Sequence, residues 1–232
     1  MHMSHLHTGV GRAKLAVARV YRYVCGCLRI HRLLNARRFW NGTPASVADL
    51  HALVVAHLMD LGPYIAATNT DIYKRFWNED GHGRTTSPKS EESCRDVLID
   101  LLRSRLNPQN VFVEPEGHMA TDKRADLVAM LPKMKVVVEL KRDYHAELWS
   151  AIHNQLDRFY TRDPEAQGFG IYGVFWYGAK RGRSFPSPPA PLMMPQSAAE
   201  MERQLQSLIP AEKRTKLRAV VIDVSGDISR CR

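Results

Sequence analysis

The sequence lacks any long apolar run and has few cysteines. No uninterrupted stretch approaches the roughly 18 apolar residues that a membrane-spanning helix requires, so we expect no membrane association. The four cysteines are scattered, and Cys25-Gly26-Cys27 has no second pair at zinc-ligand spacing, which argues against a structural zinc site. So few thiols are typical of a reducing compartment, and we expect the cytoplasm.

Acidic residues are absent from the first 42 positions, which contain eight Lys and Arg residues. The net charge of +9 comes almost entirely from this segment, because the remaining chain has 25 basic and 24 acidic residues. A high isoelectric point therefore does not by itself predict that the rest of the chain binds nucleic acid.

Residues 11–40 have the pattern of a basic amphipathic helix, with Val17, Val20 and Val24 at helical spacing opposite an arginine stripe. Three interpretations are open. The favoured one is a helix that packs on the domain or on a missing neighbour. The others are a helix that faces phosphate or a membrane surface, and an organellar transit peptide. We treat residues 1–42 as a basic N-terminal extension.

The rest of the chain divides into two predicted segments, 43–85 and 86–226. Residues 43–85 predict a helix and a short aromatic stretch, which we interpret as a helical linker, with a boundary between about 80 and 90. The stretch Ser87-Pro88-Lys89-Ser90 is expected to open a helix that runs to about residue 106. The elements expected after that helix are strands at 111–113, 126–130 and 136–141, a helix over 148–160, a strand at 171–177, a proline-rich loop over 180–196, a helix from Ser197 and a strand at 219–224.

The predicted buried strand at 136–141 ends in the tripeptide Glu139-Leu140-Lys141. Because side chains alternate along a strand, Glu139 and Lys141 share one face. Burying two charges is costly unless they pair with each other or hold a metal. This tripeptide is therefore the strongest functional signal in the sequence.

An aspartate on the preceding strand extends this signal. If Pro132-Lys133 forms the connecting turn, Val128 faces Val137 and Asp126 faces Glu139. Two facing carboxylates repel each other, whereas a divalent cation between them turns that repulsion into binding. Glu91 and Gln155 also lie on predicted apolar helix faces, where a buried polar group needs a hydrogen-bond partner.

Asp126, the tripeptide Glu139-Leu140-Lys141 and the α-β-β-β-α-β order together resemble the PD-(D/E)XK nuclease superfamily. The resemblance covers about residues 87–180 and extends towards 226. It implies an α/β restriction-endonuclease-like core, with a mixed central sheet flanked by helices. The chain also resembles the C-terminal nuclease-like region of longer bacterial proteins.

The sequence departs from the pattern of this superfamily at two places. Ala125 stands where the superfamily has a proline before the aspartate. Gln155 and Tyr160 resemble the Gln-x-x-x-Tyr helix of the RecB-like branch, but they are one residue further apart. The resemblance implies that Gln155 holds Lys141 or the nucleic-acid backbone.

The resemblance also implies a role for the remaining site residues. Asp126 and Glu139 would hold Mg²⁺ together with the Leu140 carbonyl oxygen, and Mn²⁺ would be able to replace Mg²⁺. Glu91 would assist at the metal. Lys141 would orient the attacking water and neutralise the charge that develops on the phosphate.

The implied substrate is nucleic acid, with DNA ahead of RNA. A phosphate path is expected along basic residues outside the metal centre, which are Lys123, Arg124, Arg142 and the stretch Lys180-Arg181-Gly182-Arg183. The N-terminal extension is expected to contact a second copy of the chain or a larger protein partner.

Three functions are compatible with these residues. The first is a Mg²⁺-dependent DNA endonuclease that acts in defence or DNA processing. The second is a non-catalytic module that keeps the fold and binds nucleic acid or a protein partner. The third is an unrelated metal-binding α/β domain in which Glu139 and Lys141 form a structural ion pair.

Overall fold

The computed structural model describes residues 42–67, 71–118, 124–160 and 163–226. The predicted basic helix over 11–40 lies outside the described residues, as does Lys123. From Thr43 onward the chain forms one compact unit. None of the helices in the described ranges has the length and apolarity needed to cross a membrane.

The unit is built from three helices, seven strands and one π-helix within the described residues. In chain order these are α1 (Val47–Ala67), β1 (Trp77–Glu79), β2 (Thr85–Pro88), α2 (Glu91–Leu106), β3 (Phe112–His118), β4 (Arg124–Leu131), β5 (Met134–Arg142), the π-helix (Ile152–Tyr160), β6 (Gly170–Trp176), α3 (Ala198–Leu208) and β7 (Leu217–Asp223). Short 3₁₀ turns cover Ile72–Phe76, Asn107–Gln109, Gly178–Arg181 and Ala211–Lys213.

A five-stranded mixed sheet with the order β3-β4-β5-β6-β7 forms the centre of the unit. The first three strands are antiparallel, and β5, β6 and β7 are parallel to one another. Parallel neighbours require a crossover connection, which the π-helix supplies between β5 and β6 and α3 supplies between β6 and β7. The predicted α/β class with a mixed sheet and flanking helices is confirmed.

The hairpin between β4 and β5 has the register that the sequence predicts. Val128 pairs with Val137, and the ladder runs from Leu131 at the turn to Leu127 at its far end. Pro132 and Lys133 form the two-residue connection, and Lys133 has a φ of 64°, which is in the left-handed region. The last pair of the ladder is Leu127 with Val138, so Asp126 and Glu139 are the next residues beyond it.

Helix α2 begins where the sequence predicts. Ser90 is its N-cap, and the Ser90 hydroxyl oxygen accepts a hydrogen bond from the backbone N–H of Ser93. Its buried face includes Cys94, Leu98 and Leu102. The cap fixes the first turn, so Glu91 enters the site from the start of the helix.

Residues 43–85, predicted to be a helical linker with a boundary between about 80 and 90, lie in the same compact unit as the sheet. Leu50, Leu58 and Leu61 on α1 are fully buried, and α1 packs against β5 and β7. The Trp77 indole N–H donates to the Val224 carbonyl at 2.7 Å, which ties the β1–β2 hairpin to the end of the sheet. Burial of this apolar helix face joins the segment to the core.

Candidate active site

Four oxygen atoms from three elements converge on the ammonium of Lys141. The Lys141 Nζ lies 2.6 Å from Glu139 Oε1 and 2.9 Å from the Leu140 carbonyl oxygen. It also lies 3.4 Å from Glu91 Oε1 and 3.9 Å from Asp126 Oδ2. Residues separated by up to 50 positions in the chain, on α2, β4 and β5, thus meet at one cation.

Backbone hydrogen bonds hold two of the carboxylates in place. Asp126 Oδ2 accepts from the Leu140 N–H at 2.7 Å. The β4–β5 ladder ends at the pair Leu127 and Val138. The Asp126 carboxylate therefore accepts from the Leu140 N–H in place of a backbone carbonyl of β4. Glu91 Oε2 accepts from the Arg142 N–H at 3.3 Å, which links α2 to the end of β5.

Burial within the cluster is graded from the inside outwards. The side chains of Glu139 and Lys141 are 3% and 7% exposed, whereas those of Glu91 and Asp126 are 23% and 27% exposed. The inner pair is therefore shielded from water. The outer carboxylates remain accessible from a cleft.

The cleft has a volume of about 510 Å³ and lies between the start of α2, the first residues of β4 and the last residue of β5. Its lining residues are Ser90, Glu91, Glu92, Arg95, Ala125, Asp126 and Arg142. Arg95 is not among the site residues predicted from the sequence. Residues four positions apart on a helix lie on the same side, so its spacing from Glu91 could have indicated a place in the site. The cleft thus combines two site carboxylates with two arginines.

The electrostatics of the cluster favour additional positive charge. Burial raises the pKa of the Glu139 carboxyl, and the neighbouring Asp126 raises it further, whereas Lys141 lowers it. Burial acts to lower the pKa of Lys141, but Glu139, Glu91 and Asp126 outweigh it, so this pKa is raised. One lysine is therefore shared among three carboxylates, and it stays protonated.

The donor set suits a hard divalent cation. Carboxylate and carbonyl oxygens are the ligands that Mg²⁺ takes. Over the ranges that the structure describes, no three His, Cys, Asp or Glu side chains are already grouped as a metal site. The Lys141 ammonium occupies the point where the oxygens converge, so the residues fit a cation if that ammonium moves aside.

The Gln155 side chain contacts Glu147 in the structure, and its predicted role in holding Lys141 stays a prediction. Its amide Nε2 donates to Glu147 Oε2 at 2.8 Å. The predicted α-helix over 148–160 is instead a π-helix from Ile152 onward, and its i→i+5 winding gives Gln155 a different direction. A contact of Gln155 with nucleic acid stays a prediction.

Arg181 lies in an internal ion pair. Its Nε is 3.1 Å from Oδ2 of Asp143, which is fully buried. Its guanidinium also lies over the rings of Trp176 and Phe185, at 5.1 and 4.8 Å from their centroids. Burial raises the pKa of Asp143 to about 6, against the opposing effect of Arg181. Binding of phosphate by Arg181 would require this ion pair to open.

The other predicted phosphate-path residues are in different places. Arg142 is half-buried and lines the cleft. Lys180 is exposed on the 3₁₀ turn after β6, and Arg124 is the first residue of β4. Arg142 is therefore the predicted phosphate-path residue that the structure places at the cleft.

Comparison with known proteins identifies a family but no function. No curated protein and no solved structure matches the chain. A family model matches residues 54–179, which is more than half of the 232 residues. The match begins within α1 and extends past β6, so it includes Glu91, Asp126, Glu139 and Lys141. The chain therefore belongs to the family described as a domain of unknown function, DUF8371.

Proposed function

We propose that this protein is a metal-dependent nuclease with a restriction-endonuclease-like core, which hydrolyses phosphodiester bonds in nucleic acid, with DNA as the expected substrate. The observation that carries the proposal is the convergence of Glu91, Asp126, Glu139 and Lys141 beside an open cleft. The order of elements and the mixed sheet support the same proposal.

The position of each site residue supports a task in the proposed reaction. Glu91 and Asp126 face the cleft, and with Glu139 and the Leu140 carbonyl they would hold Mg²⁺. When bound, this ion supplies a water of lowered pKa and stabilises negative charge on the phosphate. Lys141, once released from Glu139, can donate to the attacking water or to a phosphate oxygen, because its ammonium has three donors.

One observation favours a second candidate, a non-catalytic module that binds nucleic acid or a protein partner. The Lys141 ammonium already has four oxygen neighbours, so it satisfies the carboxylates without a metal. In this case Glu139 and Lys141 would be a structural ion pair beneath a binding cleft. Cleavage activity separates the two candidates.

The deciding experiment is cleavage of plasmid and single-stranded DNA in Mg²⁺ and in EDTA. We expect cutting that requires Mg²⁺ and is lost in Lys141→Ala. The matched control is Lys135→Ala, which removes the same charge from the same strand, where Lys135 pairs with Asp163 outside the cleft. Cutting that persists in Lys141→Ala, or equal loss in both variants, would contradict the proposed site.

Metal binding is measured separately by calorimetric titration with Mn²⁺. We expect Asp126→Asn to weaken binding at least tenfold, because the variant removes one charged ligand from a site of three carboxylates. Unchanged binding in Asp126→Asn would place the metal elsewhere.

A further inference from the structure

We propose that Arg142, Tyr144 and Arg183 form a phosphate-binding strip along which a nucleic-acid strand reaches the cleft. The identity of the ligand rests on the proposed nuclease function. The strip itself is a juxtaposition of three side chains from the end of β5, the turn after it and the segment after the Gly178–Arg181 turn.

A single aromatic ring orders both arginines of the strip. The Cζ atom of Arg142 lies over the Tyr144 ring at 4.9 Å from its centroid. The Cζ atom of Arg183 lies over the same ring at 5.7 Å. Stacking on an aromatic face restricts the long arginine side chains, so less conformational entropy is lost when they bind a ligand.

The strip is continuous with the proposed active site. Arg142 lines the cleft, and its Nε lies 3.9 Å from Glu91 Oε2. Arg142 therefore contacts a site carboxylate on one side and Tyr144 on the other. A strand held by this strip would enter the cleft beside Glu91.

Arg183 has the exposure that a ligand requires. Its side chain is exposed, and in the part of the chain that the structure describes its close contact is the Tyr144 ring rather than a carboxylate. Arg181, two residues earlier, is instead turned inward to Asp143. The basic stretch at 180–183 thus divides into an arginine that supports the fold and an arginine that faces solvent.

Phosphate is the ligand that best fits two arginines on one ring. Guanidinium groups bind phosphate oxygens with paired, charge-assisted hydrogen bonds. The chain after residue 42 has almost no net charge, so attraction of a polyanion there must come from a local group of cations. The strip is such a group, and it adjoins the carboxylates that would act on the phosphate.

The experiment is fluorescence anisotropy of labelled 20-nucleotide single-stranded and duplex DNA, titrated with the full chain in EDTA at several salt concentrations. We expect Arg183→Ala to weaken binding about tenfold and to reduce the salt slope by about one. Tyr144→Leu should weaken binding as well, because it removes the ring that orders both arginines. The matched control is Arg203→Ala, which removes one exposed positive charge from α3.

The outcomes separate the strip from the proposed nuclease. If Arg183→Ala binds DNA as tightly as Arg203→Ala, or if the unaltered chain binds neither DNA, the strip is overturned. If the chain cuts DNA and Arg183→Ala has no effect on binding, the nuclease stands and the strip fails. If binding depends on Arg183 but no DNA is cut, the strip stands and the nuclease fails.

Discussion

At the residue scale, the site is defined by one lysine shared among three carboxylates. The inner pair of Glu139 and Lys141 is almost inaccessible to water, so its charges must be compensated by other groups of the protein. The two partners are not equivalent. Lys141 has three carboxylate neighbours, whereas Glu139 has one cation and a nearby like charge from Asp126.

This asymmetry predicts unequal costs for removing the two partners. Lys141→Met leaves the carboxylates without their cation, and we expect it to lower the free energy of unfolding by about 3 kcal/mol. Glu139→Gln keeps a polar group of the same shape and leaves Lys141 with Glu91 and Asp126, so we expect a loss of at most about 1 kcal/mol. Urea unfolding at pH 7 in EDTA measures both, and equal losses would contradict the sharing of Lys141.

The second buried ion pair predicts a pH-dependent effect. Burial raises the folded-state pKa of Asp143 to about 6 from an ordinary value of 3.8, so this group lowers stability as pH rises through that window. Arg181→Ala removes the group that opposes the shift. We therefore expect it to cost about 3 kcal/mol at pH 8 and clearly less at pH 5, where Asp143 is protonated.

Urea unfolding of Arg181→Ala at pH 5 and pH 8 tests this expectation. The control is the double variant Arg181→Ala with Asp143→Asn, in which no carboxylate remains to be left unpaired. Its loss of stability should be the same at both pH values. A pH dependence that survives in the double variant would assign the effect to another group.

At the element scale, the start of α2 connects stability to the site. Ser90 caps the helix, and Glu91 follows it directly. We expect Ser90→Ala to lower the free energy of unfolding by about 1 kcal/mol, because the Ser93 N–H loses its acceptor. Ser90→Asp should retain stability, since aspartate also caps helices.

Ser104→Ala is the matched control for this cap, because Ser104 is exposed within the same helix. We expect its unfolding free energy to be unchanged or slightly higher, since alanine has the better helix propensity. Denaturant unfolding measures the three variants side by side. Equal stability of Ser90→Ala and Ser104→Ala would show that the cap does not stabilise α2.

The elements that the sequence predicts correctly are those set by local rules. The register of β4 and β5 follows from a two-residue turn at Pro132-Lys133 and from alternation along each strand, and it places Asp126 beside the residue that follows Glu139. The position of Glu91 follows from the cap at Ser90. These two local features bring three carboxylates and Lys141 together.

The elements that the sequence misses depend on contacts that have no local signal. The apolar pattern from Leu148 to Leu156 is compatible with both α and π winding, so the direction of Gln155 could not be predicted from spacing. The strip residue Tyr144 lies in a turn whose contact with Arg183 joins parts of the chain about 40 residues apart.

At the scale of the whole molecule, the charge of the protein is divided along the chain. The first 42 residues have eight basic and no acidic residues, and the rest is nearly neutral. We therefore expect the affinity of the folded unit for a polyanion to depend on the position of a few side chains, such as Arg142 and Arg183. Total charge does not identify the binding surface.

The whole-molecule organisation gives the last prediction. Because α1 covers β5 and β7, and the Trp77 indole is hydrogen-bonded to the Val224 carbonyl, we expect residues 43–85 to unfold together with the sheet. Leu58→Ala should lower the free energy of unfolding by about 3 kcal/mol, as for other fully buried leucines, whereas Ala52→Ser at an exposed position of α1 should have little effect.

A chain of residues 86–232 should lack the cooperative unfolding transition that we expect circular dichroism to show for the full chain. If that shorter chain unfolds with the stability of the full chain, α1 is an accessory helix and the domain begins after it.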